Sequence, residues 1–263
     1  MVNLATTIDK DTFIISDTHL GHFRVLAFEP IRVEYLADYN TEVIAECQEL
    51  LGLLETVPQD EQRNHERIIE LSKFLIPHHD KMIVEKWNAV VTPDSTVLHL
   101  GDFAFRGIEE WTKKLNGNKI LLRGNHDLKS ARTYTDAGWK DVIENIKIIV
   151  GNNTFDLSPR IDKYWNGLFT AIETNNDITS ILFSHYPVFN NNEWDVKKYG
   201  KITDLLEEIY EDIDCDINIA GHTHTKNSDF ENAINVSLEH CTNLSPMKLG
   251  YLISNFNIEK GSL

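Results

Sequence analysis

An α/β sheet protein is the class this sequence predicts, and three observations predict it. Apolar runs of strand length recur, helical spacing of apolar residues fills several of the gaps between them, and polar clusters follow the strands directly. The runs are residues 12–15, 96–100, 119–122, 146–150, 180–183, 217–220 and 233–236. Each is rich in Ile, Val, Leu or Phe, the side chains that suit a buried pleated surface. Between the first two, Val43, Ile44, Cys47, Leu50, Leu51 and Leu54 keep helix spacing, as do Ile83, Trp87, Val90 and Val91. Ile108, Trp111 and Leu115 do the same and stop before Gly117, where a helix would end.

Residues 23–80 are charged and helix-rich, broken by Pro58 and Pro77, and read as a helical insertion on the first strand-to-helix connection. The Val43 to Leu54 stripe is read as a buried helix face, with a cap over the site or a homodimer surface as alternatives. A polar stretch from about 151 to 177 reads as a hairpin or loop excursion. No internal repeat or low-complexity tract divides the chain, so residues 1–263 are taken as one domain carrying the insertion.

Length, composition and charge narrow the function. With 263 residues, 41% of them hydrophobic, the chain can bury a sizeable core. Its 25 basic against 41 acidic residues leave a net charge of -16, which repels a polyphosphate backbone and disfavours duplex nucleic acid. No apolar run is long enough to span a bilayer. Cys47, Cys215 and Cys241 are odd in number and lack C-x-x-C spacing, which suits reduced thiols and a cytoplasmic location.

The chemistry lies in five clusters that follow strand candidates: Asp17-Thr18-His19, Gly101-Asp102, Gly124-Asn125-His126-Asp127, Ser184-His185 and Gly221-His222-Thr223-His224. Ligands of α/β sheets collect beyond the carboxyl ends of the strands, so five such clusters can converge on one rim. Asp17 with His19, and His222 with His224, are spaced by two, which in extended chain puts both members of a pair on one face. Imidazole nitrogen and carboxylate oxygen suit Mn, Fe, Ni, Zn or Co, and the clusters supply more ligands than one ion takes. A centre of two divalent ions would attract a phosphate and acidify a bound water. The chain has no phosphate-binding G-x-x-x-x-G-K-[ST] loop, no G-x-G-x-x-G and no G-x-S-x-G, which removes support for nucleotide-driven motors, dinucleotide dehydrogenases and serine hydrolases.

Through SDTH at 16–19, GDFAFR at 101–106, GNHD at 124–127, SHYP at 184–187 and GHTH at 221–224, the sequence resembles the calcineurin-like metallophosphoesterases. The resemblance implies a four-layer sandwich of two mixed β-sheets flanked by helices. It also implies one divalent ion, Mn or another transition metal, held by Asp17, His19 and His224, and a second held by Asn125, His185 and His222, with Asp102 bridging both. No ligand position of the family is missing. The implied reaction is phosphoester hydrolysis by attack of a metal-bridging hydroxide, with His126 as general acid and Asp127 either fixing its tautomer or capping the next helix.

With NVSLEH at 235–240, the blocks look most like those of small bacterial or phage phosphoesterases, which implies a small phosphomonoester or phosphodiester such as a nucleotide derivative. A DNA nuclease of the same superfamily and a metal-containing protein-binding scaffold are the alternatives. Outside the blocks, His22, Arg106 and Arg123 are substrate-binding candidates, each with a structural hydrogen bond or salt bridge as its rival. His99 reads as core, and His78, His79 and His240 as background.

Overall fold

The computed structural model describes residues 8–151, 153–157, 166–174, 177–189, 193–224 and 232–255. Strand β1 (Phe13–Ile15) is followed by helices α1 (Val25–Phe28), α2 (Pro30–Tyr39), α3 (Ile44–Thr56), α4 (Gln59–Gln62) and α5 (Glu66–Val90). The chain then runs β2 (Thr96–His99), α6 (Ile108–Lys114), β3 (Asn118–Leu122), α7 (Ala131–Ala137), β4 (Asp141–Ile143), β5 (Ile146–Val150), β6 (Asn153–Leu157) and β7 (Gly167–Thr174). It ends β8 (Asp177–Ser184), α8 (Glu193–Asp212), β9 (Ile217–Ala220), β10 (Ala233–Asn235), β11 (Met247–Lys248) and α9 (Leu249–Asn255).

Among the described residues these strands form two sheets, ordered β11-β1-β2-β3-β4 and β10-β9-β8-β7-β5-β6. Both are mixed. In the first, β1 to β4 run parallel and β11 joins antiparallel; in the second, β8 is parallel to β9 and antiparallel to β7. The continuous apolar runs of β2 and β3 follow from burial on both faces of a parallel sheet. In β8 the alternation separates two cores: Ile181 and Phe183 pack with residues of the first sheet, while Leu182 packs with Tyr199, Ile202, Leu206 and Ile209 under α8. Two mixed sheets flanked by helices is the α/β architecture that the sequence implied.

Helices α1 to α5 fill the connection between β1 and β2, and their helical segment continues past residue 80 to Val90. The expected break at Pro77 does not occur, because Pro77 sits on the exposed side of α5 while Ile68, Leu71, Leu75, Met82, Ile83 and Trp87 bury one unbroken stripe. That stripe outweighs the ~3 kcal/mol cost of an internal proline. Val43, Cys47 and Leu50 are likewise core. The 151–177 stretch supplies β6 and β7, and β7 lies between β8 and β5. Residues 152, 158–165 and 175–176 of that stretch lie outside the described residues.

Candidate metal centre

All five clusters begin at the carboxyl ends of β1, β2, β3, β8 and β9, and main-chain bonds tie them together. Asp17 N donates to Gly101 O at 2.9 Å, His19 N to Asp102 O at 3.0 Å and Gly221 N to His185 O at 3.1 Å. The extended backbone expected for the two spaced pairs is not what brings their members together. Asp17, His19, Asp102, His222 and His224 all have left-handed φ, between 50° and 69°. Each such residue costs roughly 1–2 kcal/mol, a strain that gathers at functional loops. Glycine is needed where these loops touch. A Cβ on Gly124 would lie 2.3 Å from Asp102 Oδ1, and one on Gly221 would lie 2.3 Å from Asp17 Oδ2.

The ligand-type atoms converge. Asp17, His19 and His224 present ligand atoms within 4.8 Å of one another, and so do Asp17, Asp102 and His185. Asp102 lies between the two histidine groups, with Oδ2 3.6 Å from His19 Nε2 and Oδ1 3.8 Å from His185 Nε2. His185 donates Nδ1–H to Leu100 O at 2.8 Å, and burial lowers its pKa to about 3, which leaves Nε2 of the neutral ring unprotonated 3.0 Å from Asn125 Oδ1, two acceptor atoms side by side as ligands of one ion would be. His19 is held neutral by burial as well. Burial, then the charges of Asp17 and Asp127, push the Asp102 carboxyl well above the usual range. Asp17 Oδ1 and both ring nitrogens of His19 are buried and have no hydrogen-bond partner among the described residues. Unpartnered donor atoms beside two crowded carboxylates fit divalent cations, whose charge would offset that crowding.

A family model described as calcineurin-like phosphoesterase matches residues 12–226, which include all five clusters. The chain belongs to that family. Gene 66 protein of Mycobacterium phage L5 is 24% identical over 181 residues, covering 61% of this chain and 72% of the phage protein. The crystal structure of a protein of unknown function, AQ665 from Aquifex aeolicus, matches in fold with a TM-score of 0.54 at 20% identity, covering 92% of this chain and 97% of that one. No helix among the described residues is long and apolar enough to cross a membrane.

Around this metallophosphoesterase centre lie residues that sequence reading missed. Glu239 Oε1 accepts from His224 Nδ1 at 3.1 Å, which leaves His224 Nε2 facing Asp17 Oδ1 at 3.8 Å. Burial opposes ionisation of His224, but that hydrogen bond and the Asp17 charge raise its pKa. Arg32 of α2 is fully buried and donates to Asp17 O at 2.6 Å, Thr18 O at 3.1 Å and Glu239 Oε1 at 2.5 Å. Asp195 of α8 faces His222 Nε2 at 3.3 Å, so the His222 ring is not in either of the two groups formed around Asp17. Only Glu239 left a trace in sequence, inside the NVSLEH block.

The role expected for Asp127 is corrected. Its carboxylate accepts from Asp102 N at 2.7 Å, Phe103 N at 3.2 Å, Gly124 N at 2.8 Å and Tyr134 OH at 3.1 Å. Four donors leave it neither aimed at the His126 ring nor capping α7, whose N-cap is Ser130. Asp127 instead locks the Asp102 and Asn125 loops together. His126 stands at the mouth with its ring 42% exposed and Nε2 4.0 Å from Asp102 Oδ2.

A cavity of about 580 Å³ beside His19 and another of about 500 Å³ beside Asn125 and His222 adjoin the centre, and His126 and His224 line both. His22 and Arg106 line the first. His22 stacks on Phe105 with ring centroids 4.0 Å apart, and burial lowers its pKa to about 4. Arg123 lines neither cavity: it donates to Asp127 O at 2.6 Å and to Glu144 at 2.6 Å, the salt-bridge rival of its substrate role. His99 is core, held by Thr18 Oγ1 and Gly101 N. Cys47, Cys215 and Cys241 are buried free thiols.

Proposed function

We propose that this metallophosphoesterase hydrolyses a small phosphodiester or phosphomonoester of nucleotide type, with two divalent transition-metal ions as its cofactors. Asp17, His19 and His224 would hold one ion and Asn125, His185 and His222 the other, with Asp102 shared. Bound there, the ions would supply Lewis acidity toward the phosphoryl oxygens and a water acidified for attack. Mn is the first choice among Mn, Fe, Zn, Ni and Co. The observation that carries this reading is the Asp102 carboxylate, whose two oxygens face His19 and His185 separately at 3.6 and 3.8 Å.

The protein's own groups do the positioning. Asp127 holds the Asp102 and Asn125 loops at a fixed separation, and Glu239 sets the His224 tautomer. His126 is the proton donor to the leaving oxygen. Burial lowers its pKa, and an anionic ester drawn against the ring restores the protonated form.

Assays of Mn-loaded protein on bis(p-nitrophenyl) phosphate and p-nitrophenyl phosphate test the reading. Hydrolysis of either is expected. His126→Asn should lower turnover by about 10²-fold or more with metal content intact, and Asp102→Ala should lose both bound metal and turnover. Cleavage of single-stranded DNA in preference to both esters would move the function to a nuclease. No hydrolysis with any of the five metals would leave a binding scaffold.

A further inference from the structure

We propose that the 580 Å³ cavity is a subsite for a nucleoside arm of the substrate that carries a second anionic group, a proposal that rests on the phosphoesterase reading of the adjoining centre. Its size is that of a small-molecule site. One end opens on His19, His126 and His224, where the scissile phosphate belongs. Besides Gly21, Val25 and Glu29, whose carboxylate stands 3.9 Å from His224 at that end, the rest is lined by two kinds of side chain that call for the two halves of a nucleotide.

The first kind is aromatic. His22 and Phe105 stack in parallel, with an interplanar angle of 10°, and Phe28 stands across from His22 at 6.4 Å and 66°. Phe28 is 52% exposed and Phe105 46% exposed, both in the cavity wall. Open phenyl rings beside a backed, rigid stack form a platform for a planar base, and such stacking is worth ~1–3 kcal/mol per base.

The second kind is cationic. Arg32, Arg67, Arg123 and Arg132 each pair with a carboxylate elsewhere in the structure. Arg24, Arg63 and Arg106, which line this cavity, have no carboxylate partner among the described residues. In a chain of net charge -16, guanidinium groups left without carboxylates at one cavity are the unusual feature. Arg24 also donates to the main-chain Arg63 O at 2.8 Å, which ties the two arginine-bearing segments together at the cavity wall. Gathered cations of this kind bind an anion through charge-assisted hydrogen bonds. A mononucleotide arm with a phosphate beyond its sugar satisfies both the platform and the arginines, and the second cavity remains for the other arm of a diester.

The test compares two esters with the same leaving group, thymidine 5′-(p-nitrophenyl phosphate) and methyl p-nitrophenyl phosphate, on Mn-loaded protein. In each, water adds at phosphorus, the P–O bond to the aryl group breaks, p-nitrophenolate leaves with the electron pair and a proton is released. The thymidine ester should show a kcat/KM higher by about tenfold or more. Phe28→Ala and Phe105→Ala should each pull that ratio toward one. Thymidine 3′,5′-bisphosphate should inhibit, and Arg63→Gln and Arg106→Gln should each weaken that inhibition by about tenfold.

Equal kcat/KM values on the two esters, or an inhibition constant unchanged in both arginine variants, would overturn the subsite while leaving the phosphoesterase standing. If the wild type cleaves neither diester, calorimetry with thymidine 3′,5′-bisphosphate decides the subsite alone, and the phosphoesterase reading falls only if p-nitrophenyl phosphate is not cleaved either. Binding that Phe105→Ala and Arg63→Gln weaken supports it, and absence of binding overturns it.

Discussion

Replacing Arg32 by Met should be among the most damaging single changes outside the metal ligands themselves. The guanidinium is fully buried on α2 and joins three things: the main-chain oxygens of Asp17 and Thr18 and the carboxylate of Glu239. Burial pushes the Glu239 pKa up, but Arg32 first and His224 next hold it down at about 2. Removing the cation strands a buried carboxylate, and breaking one side of a buried pair costs about 3–5 kcal/mol. In a chain of this size each kcal/mol shifts Tm by roughly 2–4 °C, so a fall of roughly 6–20 °C is expected. The assay is thermal unfolding of metal-free protein, where ion binding cannot mask the loss. Arg32→Met/Glu239→Gln should recover part of the loss, since a neutral amide needs no cation. A fall in Tm below about 2 °C, or a double variant no more stable than Arg32→Met, would show that the charge pair is not what matters.

Three further outcomes are expected. Glu239→Gln alone should weaken metal affinity by about 10–100-fold, as loss of a carboxylate behind a ligand histidine does, read by titration with Mn. Gly124→Ala should abolish stoichiometric metal binding while the protein stays folded by circular dichroism, because the new Cβ would lie 2.3 Å from Asp102 Oδ1. Lys119, whose ammonium donates to Leu115 O and Gly117 O, has its pKa lowered by burial to about 8 from 10.5. Between those values the unfolded state binds more protons, so wild-type stability should rise with pH from 8 to 10.5 relative to Lys119→Met. A denaturation series across that window reads the slope, and parallel curves would contradict it.

The strands that carry the five clusters were legible because parallel strands buried on both faces are written as continuous apolar runs. β7 was not. Thr170 takes a buried position between Leu168 and Ile172, so the alternation is broken by a polar residue. The helix spacing of Tyr199, Ile202, Leu206 and Ile209 was present in α8, but Gly200 and the charges around it hid a helix whose apolar face is narrow. Pro77 led to the opposite error, since whether an internal proline breaks a helix depends on which side meets solvent. At the centre, the seven ligand-type residues were readable as types at known spacings. Their backbone was not, because left-handed φ at Asp17 and His19 is imposed by hydrogen bonds to the loop after β2, not by local propensity. Arg32 with Glu239 and Asp195 with His222 are pairs formed by folding alone, remote in the chain and without a motif.

Helix α5 has a mechanical consequence. Midway along it, Asp80 Oδ2 accepts from the amide of Gly21, between His19 and His22. About 10 Å further along the same helix, Trp87 Nε1 donates to Asn116 O just before β3. One rod is thus pinned both to the turn that bears ion-binding chemistry and to the scaffold beneath it. At its other end α5 packs through Ile68 and Leu71 into the same core, and the segment just before it, around Arg63, is held by Arg24 at the cavity wall. Changes around Arg63 would thus alter one cavity wall while the Asp80 and Trp87 bonds keep the ion-binding turn aligned with the sheet.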